Sequence, residues 1–295
     1  MPSSLTLRLP ATQIEPLAAA YRRARRGAHA RLLIGLILVV IFALVAGWVA
    51  EIDLPRLAGD IWRFPNYLRQ LIPTLTWNNL PGDLAEWFWG WKLWGRLLIE
   101  TLLIAYLGTL VGACGGFLLS FLAAANVSPS PALRFVARRY LEFCRTVPEL
   151  VFALIFVVAF GLGPLPGVLA LAIHTTGALG KLFSEVIENI DLKPIEGATA
   201  AGASWIESMR FAALPQVLSG FVSYAVLRFE INVRGAAIMG FVGAGGIGQE
   251  LLTAVRKFYY SDISAMLVII IATVMVIDHL TERLRHRLLG FEARP

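Results

Sequence analysis

Arg228, Glu230 and Arg234 stand in a long apolar run of the chain. In lipid surroundings each ionised group there costs ~2.5–3.5 kcal/mol on insertion scales, so such residues face a partner or a wet cavity. Glu230 precedes Arg234 by one helical turn, the favoured acid-first order for an ion pair. Arg228 is about 200° from Glu230 on a wheel of ~100° per residue, so this carboxylate does not readily neutralise it. A guanidinium without a carboxylate beside it suits an oxyanion, whose oxygens it meets through two parallel hydrogen bonds. The other role open to these residues is a structural ion network joining helices or subunits. Asn232 lies between them. His174, Thr175 and Thr176 add an imidazole and two hydroxyls in another apolar run, where small polar groups either meet a ligand or join helices. Lys181 and Glu185 are spaced to neutralise each other, and Glu100 is expected at a rim rather than at a gate.

Other motifs look chemical and are not. Gly243-Ala244-Gly245-Gly246-Ile247-Gly248 spells G-x-G-x-x-G. A dinucleotide site would need a strand before it and an acidic residue ~20 positions later. Here an apolar helix precedes it and position 268 is Val, so Gly243, Gly245, Gly246 and Gly248 are expected to form a tight bend. Gly180-Lys181 lacks both the first glycine of a P-loop and the Ser or Thr that would hold magnesium. No ATP site is therefore expected in this chain. The two Cys and four His are scattered, with no zinc-ligand spacing. The two cysteines are expected as packed, reduced thiols. A membrane-embedded hydrolase would need a nucleophile beside a base. Ser204 is the one serine in a suggestive turn, and it has a capping role.

These residues are positioned by a chain that is 57% hydrophobic and 16% charged, against about 45–50% and roughly 25% for soluble domains. The net charge of +6 does not point to nucleic acid, because most Arg residues sit at the ends of apolar segments. The sequence predicts an all-α, polytopic membrane protein of about six transmembrane helices. Residues 1–31 form a cytoplasmic N-terminal segment with Arg22, Arg23, Arg25, Arg26 and Arg31 clustered before the first helix, and no cleavable signal peptide is expected. Residues 32–50 are the first transmembrane helix, and residues 51–96 an external Trp-rich segment. Trp87, Trp89, Trp91 and Trp94 are expected at the headgroup level.

Residues 97–287 form the transmembrane core. Its second span, from Leu97 to about Ala125, tilts or bends at Gly115-Gly116. A basic loop follows, then a third span from Pro148 to Leu162, a turn at 163–167 and a fourth span to about Ile187. Residues 188–215 form a cytoplasmic loop. The fifth and sixth spans cover roughly 217–242 and 263–277, and residues 288–295 are a cytoplasmic tail. Basic residues at each cytoplasmic segment place both termini inside.

The loop at 188–215 carries two short helices. Glu196, Gly197 and Ala198 belong to a small-residue helix that Gly202 ends. Ser204-Trp205-Ile206-Glu207 matches a capping box that starts the next. Leu214-Pro215 opens the fifth span, where proline is tolerated in a first turn. This spacing resembles the cytoplasmic signature of ABC importer permeases: Glu-Ala-Ala, three residues, Gly, nine residues, Ile-x-Leu-Pro. Glu196, Ala198, Gly202, Leu214 and Pro215 match in register, while Gly197 and Ala212 depart mildly.

Residues 145–149, 161–164, 173–177, 228–234 and 242–248 resemble the phosphonate/phosphite class of these permeases, and the likeness covers about 95–287. It implies the type I importer permease fold, with coupling helices seated in separate ATPase subunits. It further implies two such ATPases carrying ATP and Mg, an extracytoplasmic solute-binding protein, and a permease homodimer or a pairing with a near relative in the lipid of a bacterial inner membrane. On that reading the chain has no cofactor, metal or catalytic residue of its own. Its cargo is a phosphorus oxyanion, with inorganic phosphate or a methionine-like amino acid as alternatives. Arg228, Glu230, Asn232, Arg234, His174, Thr175 and Thr176 are the candidates along its path.

Overall fold

Pro148 and a row of glycines decide how the core folds. A computed structural model describes residues 11–290. Among them there are thirteen α-helices and no strand. The chain divides into two units after Tyr67. The first unit holds α1 (Ala11–Val49), α2 (Leu54–Asp60) and most of α3 (Arg63–Leu71). Helix α1 is continuous through the expected boundary at residue 31, and its span Gly27–Val49 buries none of its apolar face within this chain. Residues 1–10 and 291–295, parts of the expected N-terminal segment and tail, lie outside the described residues.

The second unit holds α4 (Leu80–Trp87), α5 (Trp91–Ala123), α6 (Pro131–Thr146), α7 (Glu149–Phe160), α8 (Pro164–Glu188), α9 (Lys193–Ala200), α10 (Trp205–Ser208), α11 (Leu214–Met239), α12 (Ile247–Arg256) and α13 (Tyr260–Gly290). Helices α5 and α8 are its spine. A Cβ on Gly108 would stand 2.6 Å from the Leu171 side chain, one on Gly112 2.8 Å from the Ala172 carbonyl oxygen, and one on Gly116 2.8 Å from the Gly180 nitrogen. Both residue series increase together, so α5 and α8 run parallel with their backbones in near contact. Gly115 and Gly116 therefore do not bend α5, which is unbroken; they receive α8.

Two parallel crossings need a return between them. The expected third span is too short to supply it alone: α7 has 12 residues, about 18 Å at 1.5 Å per residue against ~30 Å of hydrocarbon. The segment expected as a basic loop is instead the amphipathic α6, started by the Ser130 hydroxyl accepting from the Leu133 N–H. Pro148 forces Val147 into an extended conformation (ψ 122°), and α6 and α7 meet at 85°. Together they bring the chain back as one bent span, which makes six candidate crossings among the described residues. The turn before α8 is confined to 161–163, because Pro164 and Pro166 fit the first helical turn.

Helix α11 lies antiparallel to α5, with Phe229 against Tyr106 and Phe221 against Phe117 and Phe121. Three apolar clusters stack along the bundle, around Leu171 and Met239, around Phe183 and Phe221, and around Trp94 and Met266. The tryptophans only partly serve as outward anchors. Trp94 is buried, while Trp87 and Trp89 donate to Ser264 (3.0 Å) and Asp262 (2.9 Å) at the start of α13. In the first turn of α4, the Asp83 carboxylate accepts from the hydroxyl and backbone of Thr76 before the helix, which holds its carboxyl below the usual carboxylate range. Cys144 is buried as expected, whereas Cys114 is exposed on α5.

The spine is open to a direct test. Gly112→Ala places a methyl against Thr175 and the α8 backbone, and should lower stability in detergent by about 1–3 kcal/mol, the usual cost of overpacking. Gly95→Ala, with nothing within 4 Å, should raise it by about 0.5–1 kcal/mol through helix propensity. Equal melting temperatures for the two variants would show that α5 and α8 are not held at glycine distance.

Candidate functional site

Halfway along the spine, α5, α8 and α11 bring polar side chains together. Asn232, 1% exposed, donates from its amide to Thr109 Oγ1 at 2.8 Å and to Thr175 Oγ1 at 2.9 Å. Thr109 in turn donates to the Ala105 carbonyl at 2.6 Å. One turn before Asn232, Arg228 donates through Nε to Thr175 Oγ1 at 3.4 Å and through Nη2 to His174 Nδ1. On the far edge of the imidazole, Nε2 faces Glu149 Oε2 at 3.6 Å. Four helices thus converge on a cluster of one guanidinium, one imidazole, one carboxylate and neutral oxygens. Arg228 is not isolated, but the groups it touches are neutral acceptors.

The other expected residues lie elsewhere. Arg234 pairs with Glu230 at 2.6 Å and with Asp278 of α13 at 2.9 Å, and Thr281 donates to Glu230 at 3.3 Å. This ion clasp joins α11 to α13 on a face turned away from Arg228, as the helical wheel requires. Thr176 donates to the Ala172 carbonyl at 2.8 Å and packs on Gly115, so it belongs to the α5–α8 contact. Lys181 and Glu185 pair at 2.9 Å. Glu100 accepts from the Gly246 N–H at 3.1 Å, and Thr101 from the Ile247 N–H at 2.9 Å. These two acceptors cap α12 from a neighbouring helix. The glycine bend is where the sequence places it: Gly243, Gly245 and Gly246 have φ of 84°, 83° and 77°, while Gly248 presses its Cα on the Ala237 carbonyl.

Thr109, Glu149, Asp278 and Thr281 were not singled out as site residues by sequence reasoning. Thr109 was hidden beside Gly108 in the packing stripe. Glu149 reads as the neighbour of a helix-breaking proline. Asp278 falls one residue past the expected end of the sixth span.

A second arrangement lies at the other end of the spine. Helix α9 is followed by Gly202 (φ 88°), and the expected capping box is present. The Ser204 N–H donates to Glu207 Oε2 at 2.7 Å, and the Glu207 N–H donates to Ser204 Oγ at 3.4 Å. Helix α10 passes through a π-helical turn, Met209–Ala213, into α11, with Pro215 in its first turn. Trp205 Nε1 donates to the Val127 carbonyl at 2.7 Å, tying this knob to the loop after α5. That loop is fixed to the end of α8, where Glu188 accepts from the Ala125 N–H at 2.8 Å and pairs with Arg138. Glu196, Gly197 and Gly202 are exposed, as is Pro215, while Ala198 and Leu214 are half-buried. Nothing in the chain lies within 4 Å of a Cβ built on Gly197 or Gly202. Ile206 and Phe211 stand exposed nearby.

Apolar helices long enough to cross a membrane, a polar cluster where α5, α7, α8 and α11 meet, and an exposed two-helix knob at one end define a helical membrane permease. Residues 116–289 match the family model described as the binding-protein-dependent transport system inner membrane component. The chain is 42% identical over 214 residues to the phosphite transport system permease protein PtxC of Stutzerimonas stutzeri, covering 72% of this chain and 76% of that one. It is also 42% identical over 195 residues to the phosphate-import permease protein PhnE of Mycolicibacterium smegmatis, covering 66% of this chain and 37% of that longer protein. In fold it is similar to a chain of the inward-facing MetNI methionine ABC transporter, with a TM-score of 0.57 at 21% identity over 67% of this chain and 96% of that one. A chain of a bacterial alginate ABC transporter gives a TM-score of 0.52 at 15% identity, over 83% of this chain and 98% of that one. The chain belongs to the binding-protein-dependent transport permease family, as a membrane-spanning permease subunit of an ABC importer.

Asn232→Leu conserves volume and removes both amide donors from Thr109 and Thr175. It should lower stability in detergent by about 1–3 kcal/mol, read as a reduced melting temperature. An unchanged melting temperature would mean that the amide does not hold the three helices together.

Proposed function

We propose that this chain forms the membrane path by which a phosphorus oxyanion, such as phosphite, a phosphonate or phosphate, enters the cell. The observation that carries the reading is Arg228: a guanidinium halfway along the spine whose hydrogen bonds go to neutral acceptors, His174 and Thr175. Such a group retains donors for an arriving anion, and guanidinium geometry matches tetrahedral oxyanions. The names of the relatives, phosphite and phosphate permeases, point the same way. Arg234, already paired with two carboxylates, serves instead as part of the α11–α13 clasp.

The motor is separate. ATP and Mg bind on two ATPase subunits, whose grooves receive the knobs around Glu196–Gly202. The exposed Gly197 supports this, since its missing side chain leaves room that nothing in this chain uses. Two copies of the permease, or this chain and a near relative, form one pathway. An external binding protein delivers the anion, both termini face the cytoplasm, and the permease makes or breaks no covalent bond.

The test is uptake of radiolabelled phosphite into proteoliposomes holding the permease, its ATPase and its loaded binding protein. Arg228→Gln should lower uptake about 10–100-fold, the worth of a charge-assisted hydrogen bond, while the ATPase still co-purifies. Glu196→Lys should abolish uptake through loss or uncoupling of the ATPase, with membrane insertion intact. ATP-driven uptake of methionine in place of any phosphorus anion would overturn the cargo. Unchanged uptake and assembly in Glu196→Lys would overturn the role of the knob.

A further inference from the structure

Glu149 is the one member of the intramembrane cluster with no assigned task. It opens α7 immediately after Pro148, and its carboxylate points to the junction of α8 and α11. Its Oε1 is 3.7 Å from the position a Cβ on Gly235 would take, so α11 leaves it room. Its carboxylate faces His174 at 3.6 Å, its charge also acts on Arg228, and its side chain is 35% exposed. It does not contact Arg228 directly, and it has lone pairs to offer.

The imidazole sets the chemistry of the gap. A guanidinium only donates, so the His174 Nδ1 that faces Arg228 is the acceptor nitrogen. The ring proton then sits on Nε2, on the side of Glu149, and the ring also bonds the Arg145 backbone. One ring thus holds a donor-only cation at one edge and an acceptor-only anion at the other. A ligand satisfying both ends must carry, on one small centre, a charged oxygen for Arg228 and an acidic O–H for Glu149. Singly protonated phosphorus oxyanions have both. Sulfate has no proton to offer and would set a negative oxygen against the carboxylate, which is repulsive at low local dielectric. An O-alkyl ester keeps the charge but lacks the O–H.

We infer that Glu149 is a specificity-determining residue, accepting the P–OH hydrogen of a ligand whose P–O⁻ rests on Arg228, so that the site admits singly protonated phosphorus oxyanions and turns away sulfate. This rests on the reading of Arg228 as the anion-binding group.

The test uses the complete permease–ATPase complex in nanodiscs, without binding protein, at mildly acidic pH where phosphite carries one proton. Phosphite and its O-methyl ester are titrated separately to millimolar concentration and followed by ³¹P line broadening, with sulfate as competitor. The wild-type complex should prefer phosphite over the ester by at least about tenfold, the worth of one charge-assisted hydrogen bond, and sulfate should compete poorly. Glu149→Ala should erase the preference. Glu149→Gln, which keeps a carbonyl acceptor and adds an N–H donor, should restore part of it and let sulfate compete. Arg228→Ala should weaken both phosphorus ligands alike. A preference unchanged in Glu149→Ala and Glu149→Gln removes the specificity role while leaving Arg228 as the anion site. Binding that survives Arg228→Ala, or wild-type complex that binds neither ligand, removes the anion site itself.

Discussion

The contact between α5 and α8 sets the geometry of everything else in the core. Three glycines at intervals of one turn let two helical backbones meet where side chains would otherwise hold them apart. In lipid there is little hydrophobic force to press helices together, so close packing and interhelical hydrogen bonds must do it. The parallel direction of the pair then requires a returning segment, and α6 and α7 supply it with a proline at their joint. The same contact sets Thr109 beside Thr175, which makes a two-acceptor seat for the Asn232 amide. Arg228 is thereby placed one turn away, against His174. A polar cluster midway along apolar helices follows from a stripe of residues that have no side chains.

Polar groups on α11 are divided between two faces with different electrostatic character. Toward α8, the cation meets neutral acceptors, with a carboxylate held across an imidazole. Toward α13, Arg234 is overcompensated by two carboxylates. A desolvated cation that is already paired contributes to adhesion between helices. One that is not fully paired is open to exchange its partners.

Much of this was legible in the residues. The capping box at Ser204–Glu207, the stop at Gly202, the positive-φ bend at 243–246 and the Glu230–Arg234 pair each depend on local chemistry, which sequence spacing reports directly. The separation of Arg228 from Glu230 followed from helical periodicity alone. What failed was tertiary. A glycine pair in a helix is as consistent with a kink as with a neighbouring backbone, and only the position of α8 decides. Apolar content made residues 148–162 look like a full crossing, although the chain turns by 85° just before them and shares the crossing with α6. The tryptophans near residue 90 matched an interfacial belt by composition, yet Trp94 is core and two others fasten α13 by their N–H groups. Glu149 entered only within the 145–149 stretch, because the side chains it faces lie 25 and almost 80 positions later, on two other helices.

The passage from α10 through the π-helical turn into α11 contains no break, so the knob and the fifth crossing form one stiff shaft. Its two arginines project about 120° apart around the helix axis. Turning such a shaft about its own axis moves Arg228 and Arg234 together but in different directions, as two cams on one axle. A torque applied at the exposed knob therefore disturbs the polar cluster and the ion clasp in the same motion, so the contacts of the cluster and of α13 are phased by the helix itself.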